Sequence, residues 1–89
     1  MEHKWTKEET QIALYAYLKE MSKKDAKALA ESRGLNPSAF CMRMANFKYL
    51  ATDGKRGLSA TSKLKQEVWD EYCKNKSLWI KTMEQKNSF

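Results

Sequence analysis

The sequence predicts an all-α fold: a small four-helix domain with a helix-turn-helix-like trihelical core, and a fifth short helix if its last segment breaks. Three observations predict it. Gly (3) and Pro (1) are too scarce among 89 residues for a turn-rich β fold. Apolar residues recur at helical spacing. Residues that cap helices stand at the head of each periodic stretch. At this length the chain is one domain, 1–89, with a core of about 4–72 and a C-terminal helical extension, 73–89.

Thr6 precedes Lys7-Glu8-Glu9, so Thr6 and Glu9 fit a capping box, and both glutamates lie where the helix dipole favours negative charge. Ile12, Leu14, Tyr15 and Leu18 follow at helical spacing, which predicts a first helix over about 7–20. Ser22 and Asp25 form a second capping pair, with Ala26, Leu29 and Ala30 as the apolar face behind it. Gly34 accepts positive φ without penalty and stops this helix, so it covers about 23–32.

Asn36 is a good cap, and Pro37 suits the first helical position because its φ is already set. Phe40, Met44, Phe47 and Leu50 then mark a third helix over about 37–51, ended by Asp53-Gly54. A basic loop, Gly54-Lys55-Arg56-Gly57-Leu58-Ser59, leads to Thr61 or Ser62 as the cap of a last helix. Leu64, Val68, Tyr72, Trp79 and Met83 fall near one stripe of it, with Trp69 and Cys73 beside them. Asn75 and Ser77 are the points where it can break in two.

Composition narrows the function. No apolar run approaches the roughly 18 residues of a membrane span. Met1-Glu2-His3-Lys4 has no apolar stretch of the signal-peptide kind, so a cytoplasmic protein is expected. One histidine and two cysteines cannot supply a zinc site, and no cofactor is expected. Neither a Gly-rich phosphate loop nor a Gly-x-Ser-x-Gly elbow is present. The carboxylates stand among lysines along helices, as on a solvated face. A binding protein without enzymatic activity is the expectation. Cys41 and Cys73 read as small buried hydrophobes.

The net charge of +6 suits a polyanion partner and is unevenly placed. Residues 35–60 hold four Lys/Arg against one Asp/Glu, the most one-sided third of the chain. Helices two and three are joined by Gly34-Leu35-Asn36, the outline of a helix-turn-helix, whose second helix enters the major groove of DNA. Any three-helix bundle also contains such a pair. With Phe40, Met44 and Phe47 inward, Ser38, Cys41, Met42 and Asn46 should lie at or near the outer surface, flanked by Arg43 and Lys48. Arg and Asn can contact base edges, while Lys55 and Arg56 in their loop suit phosphates. An exposed loop with ordinary solubilising charges is the alternative. Most aromatics fall on the helical stripes and read as core, Tyr49 being the expected exception. Leu78, Trp79, Ile80 and Met83 either fold back to complete the core or project as an interface, most simply a homodimer through Leu78, Trp79 and Met83.

Five blocks occur in order: Trp5-Thr6-Lys7-Glu8-Glu9, Ala13 to Tyr17, Asn36 to Phe47, Gly57-Leu58-Ser59 and Glu67 to Tyr72. Together they resemble the helical N-terminal domain that precedes the nuclease module in HNH-type restriction endonucleases. There a Pro-Ser-Ala segment leads to a Lys-Leu-Ala-Asn-Phe type run, Gly-Leu-Ser and a Val-Trp-Glu-aromatic helix. The resemblance spans roughly residues 4–72. Trp5-Thr6 with Glu8-Glu9 is also similar, more loosely, to Myb-like domains of the same trihelical DNA-binding class.

One histidine cannot build a His-Asn-His site, so the resemblance implies a DNA-recognition domain and not a nuclease. It carries over Ser38, Met42, Arg43 and Asn46. The resulting expectation is a double-stranded DNA-binding domain linked to restriction or phage defence. Arg43 and Asn46 would be nearest the bases, and Asn36, Ser38 and Met42 would stand on the same helix. Lys48, Lys55 and Arg56 would hold phosphates. Asn46 has a competing role, bridging polar groups inside the bundle. The alternative function is a protein-interaction module or inhibitor of a defence nuclease.

Overall fold

A computed structural model describes residues 5–57 and 62–87. Met1–Lys4, Leu58-Ser59 and Thr61, all weighed above, lie outside the described residues. Five α-helices and no strand occur among them: α1 Lys7–Leu18, α2 Lys23–Ser32, α3 Pro37–Ala51, α4 Lys63–Lys74 and α5 Lys76–Asn87. None is long and apolar enough to cross a membrane.

The caps explain the boundaries. At α1 both arms of the capping box form: Thr6 Oγ1 accepts from the Glu9 N–H at 3.2 Å, and Glu9 Oε1 accepts from the Thr6 N–H at 2.9 Å. Ser22 Oγ accepts from the Asp25 N–H, and Asn36 Oδ1 from the Ala39 N–H, with Pro37 in the first turn. Ser62 heads α4. Asn75 is the single residue between α4 and α5, and its Oδ1 accepts from the Leu78 N–H. The break expected at Asn75 or Ser77 thus falls at Asn75.

Three helices end in the same way. After α2 the Leu35 N–H donates to the Ala30 carbonyl and the Gly34 N–H to that of Glu31, a Schellman motif with Gly34 at φ +70°. The same bond pair closes α3 around Asp53 (φ +53°) and α1 around Glu20 (φ +53°). This is why α1 stops at Leu18 and not at Glu20: without a glycine to mark it, the chain still turns left-handed there.

α1 is the central element. It packs against α3, α4 and α5, while α2 lies on α3, and α4 on both α3 and α5. Enclosed on several sides, α1 buries Ile12, Ala13, Leu14, Tyr15 and Ala16 in one run. Phe40 and Phe47 of α3, Val68 and Tyr72 of α4 and Met83 of α5 complete the core around it. Met44 and Leu50 pack at its margin. An aromatic chain ties α4 to α5: the Tyr72 ring centroid is 5.4 Å from that of Trp69 and 5.4 Å from that of Trp79.

The C-terminal segment therefore folds back. Met83 is in the core, Trp79 is half-buried and Leu78 alone of the three is exposed. The homodimer surface expected from Leu78, Trp79 and Met83 is corrected accordingly, since Met83 is spent inside its own chain. The cysteines also differ from expectation: Cys41 is half-buried and Cys73 exposed, because Cys73 stands just past Tyr72 on the outer side of α4.

Candidate nucleic-acid interface

α3 presents two unlike faces, and the expected site residues divide between them. Phe40 and Phe47 define the inner one. On the outer one Ser38 and Met42 are exposed, Met42 at 55%. Asn36 is exposed at the head of the helix, its Oδ1 committed to capping. Lys48, Lys55 and Arg56 are all exposed.

Arg43 and Asn46 depart from the surface placement that the helical spacing suggested. Asn46 is only 3% exposed. Its Oδ1 accepts a 2.6 Å bond from the Lys65 ammonium, which reaches across from α4. The helix periodicity puts Asn46 beside the Phe47 stripe, and α4 closes over that side. The bridging role inside the bundle is the one its geometry supports. Arg43 is half-buried, its guanidinium 3.9 Å from the centroid of the Trp5 ring. Trp5 in turn packs on Phe40, with ring centroids 6.3 Å apart. Burial lowers the pKa of Arg43, opposed by nearby Glu9. Burial, then the Arg43 charge, lowers that of Lys65. Both cations are thus desolvated parts of the α1–α3–α4 junction.

The basic loop is built, not merely exposed. Thr52 Oγ1 donates to the Lys48 carbonyl at 2.8 Å and accepts from the Arg56 N–H at 3.0 Å. Gly57, at φ +86°, presses onto α3: a Cβ there would strike the Ala45 carbonyl oxygen and lie 2.7 Å from the Tyr49 nitrogen. Lys55 and Arg56 are therefore held against the outer side of α3, next to Lys48. Tyr49, the aromatic expected to be free, is half-buried with its ring beside Gly54.

Along the side of α3 that faces α2 runs an open groove. Lys23, Lys27, Ser38, Cys41, Met42 and Ala45 line one part of it. Lys23 and Lys48 border the adjoining part, over a floor that includes Tyr17, Met21 and Met44. Glu20 is the carboxylate at this edge. Lys23 and Lys27 were not singled out from the sequence. Their place four residues apart at the start of α2 was the available signal.

Net charge separates the segment 22–57 from the rest of the chain. Lys7 pairs with Glu71 (2.6 Å) and Glu67 (3.5 Å), Lys19 with Glu84 (3.3 Å) and Lys86 with Glu8 (3.4 Å). Each of these pairs joins α1 or its cap to α4 or α5. Residues 22–57 hold eight Lys/Arg against three Asp/Glu, so they carry nearly all of the net +6. Among the described residues, the side chains of Lys23, Lys27, Lys48, Lys55 and Arg56 have no carboxylate partner. No group of three His, Cys, Asp or Glu gathers as a metal site among these residues. Comparison with protein-family models, curated proteins and solved structures gives no match.

Proposed function

We propose that the chain is a double-stranded DNA-binding module without catalytic activity of its own. It would work as a helix-turn-helix, with α3 entering the major groove and α2 behind it. The observation that carries this reading is the set of cations around the outer face of α3 that have no carboxylate partner: Lys23, Lys27 and Lys48 along the groove on its α2 side, and Lys55 and Arg56 in the loop that packs on it. A duplex presents phosphates on both sides of its major groove, and the groove, about 12 Å wide, admits one helix. Cations bordering the exposed face of one helix suit that arrangement. The short turn at Gly34-Leu35-Asn36 and the block resemblance to restriction-endonuclease recognition domains support the same reading, and with it a place in restriction or phage defence.

In this reading Arg43 and Asn46 hold α3 in place and do not touch bases. The outward residues Ser38 and Met42, with Asn36 at the helix head, face the groove. The test is fluorescence anisotropy with a duplex of about 20 base pairs across a series of salt concentrations. Micromolar or tighter binding at low salt that weakens steeply as salt rises is expected. No binding at low salt overturns the reading. The same cations would then point to an acidic protein surface, as the protein-interaction alternative requires.

A further inference from the structure

Direct readout in the major groove uses a few pairings. Arg or Lys reads guanine and Asn or Gln reads adenine, each through two hydrogen bonds, while apolar side chains contact the C5-methyl group of thymine. α3 contains one arginine and, past its cap, one asparagine. Both are taken: Arg43 lies against Trp5, and Asn46 is buried on Lys65. The outer face is left with Ser38, Cys41, Met42 and Ala45 as one continuous strip beside Lys23 and Lys27. Lys48 stands in the last turns of α3, next to the loop cations. A helix-turn-helix reads bases with the N-terminal part of its second helix. Here that part offers a thioether and small side chains.

Met42 is one of two large hydrophobic side chains exposed in the described structure, and it sits in the middle of this strip. Resting on the DNA-binding reading above, we infer that Met42 is the specificity-determining residue and that it recognises the C5-methyl group of a pyrimidine in the major groove. Thymine and 5-methylcytosine both present that group. The unbranched, polarizable Met side chain adapts to a methyl edge without fixed hydrogen-bond geometry. Ser38, one turn earlier on the same face, can bond a neighbouring base or phosphate. The cations supply most of the affinity, and the methyl contact supplies the preference.

The test compares duplexes differing only at the C5 position. Thymine is replaced by uracil in one pair, and cytosine by 5-methylcytosine in another, with binding followed by anisotropy. The expected result is a loss of about fourfold per contacted methyl on going from thymine to uracil. A gain of similar size should follow methylation of cytosine if the contacted position is a cytosine. Gain in that arm alone identifies methylated cytosine as the source, and loss in the first arm alone identifies thymine. Met42→Ala should erase the discrimination, so that the variant binds the thymine and uracil duplexes equally well. Salt-dependent binding with no response to either change overturns the inference and leaves the DNA-binding reading intact. Discrimination that survives in Met42→Ala also overturns it, because the methyl is then read elsewhere. Absence of binding to every duplex removes both.

Discussion

The guanidinium of Arg43 stacks 3.9 Å from the centroid of the Trp5 ring, joining the segment before α1 to the middle of α3. A planar, weakly hydrated cation suits this half-buried place, and an ammonium does not stack in the same way. Arg43→Lys should therefore destabilise the fold by about 1 kcal/mol, read by thermal or urea denaturation. The salt dependence of duplex binding should keep its slope. A reduced slope would mean that Arg43 touches phosphate.

Lys55 and Arg56 should behave in the opposite way. Replacing both with Ala leaves a surface loop whose backbone bonds are unchanged, so stability should move by less than about 0.5 kcal/mol. Duplex affinity should fall across all sequences, and the slope of log K against log salt should drop by about two. Unchanged binding would remove the loop from the interface.

Gly57 and Gly34 both take positive φ but differ in surroundings. At Gly34 a Cβ meets nothing within 4 Å, so Gly34→Ala should cost only the left-handed strain, about 1–2 kcal/mol. At Gly57 the added carbon also runs into the backbone of α3. Gly57→Ala should move the loop off α3, with a loss of duplex affinity larger than that of Gly34→Ala. Duplex titration of the two variants under conditions where both are folded checks the contrast.

Glu20 holds the left-handed position that closes α1, and it borders the groove with Lys23 and Lys48. Glu20→Gly should stabilise the chain by about 1 kcal/mol, a rise in melting temperature of roughly 4–8 °C. It should also strengthen polyanion binding at low salt, since a carboxylate leaves the basic face. Thermal melts and duplex titration test the two effects separately.

Glu84 links α5 to α1 through a 2.9 Å bond from the Tyr15 hydroxyl and a 3.3 Å contact with Lys19. Those hydrogen bonds, Tyr15 first and Lys19 second, lower the pKa of its carboxyl. A lowered folded-state value means that the carboxylate binds protons less readily folded than unfolded. Its contribution is present above the unfolded carboxylate pKa and is lost as pH falls through the folded value. Melting temperature should accordingly fall on acidification below the ordinary glutamate range. In Glu84→Gln that part of the fall should be absent, and melts from pH 7 to pH 3 would show it.

The helix boundaries were legible because they are local. Thr6, Ser22, Asn36 and Ser62 cap the helices that their positions announce, and α2 and α3 occupy the predicted 23–32 and 37–51. The end of α1 was not, since Glu20 gives no sign of a left-handed turn. The candidate site was less legible, because periodicity along one helix does not show what crosses it. Asn46 lies beside the apolar stripe, and only the return of α4, with Lys65, buries it. Arg43 became a structural residue through Trp5, which is 38 positions away in sequence. Met83 fell on the expected stripe, but whether it faced inward depended on how α5 docks.

The uneven placement of charge makes the molecule an electric dipole. Outside the segment 22–57 nine Lys/Arg nearly balance eight Asp/Glu, while the segment itself holds eight against three. In the field of a polyanion such a body would turn before it touched, with the segment 22–57 leading. Added salt then acts first on the rate of encounter and only second on the lifetime of the complex.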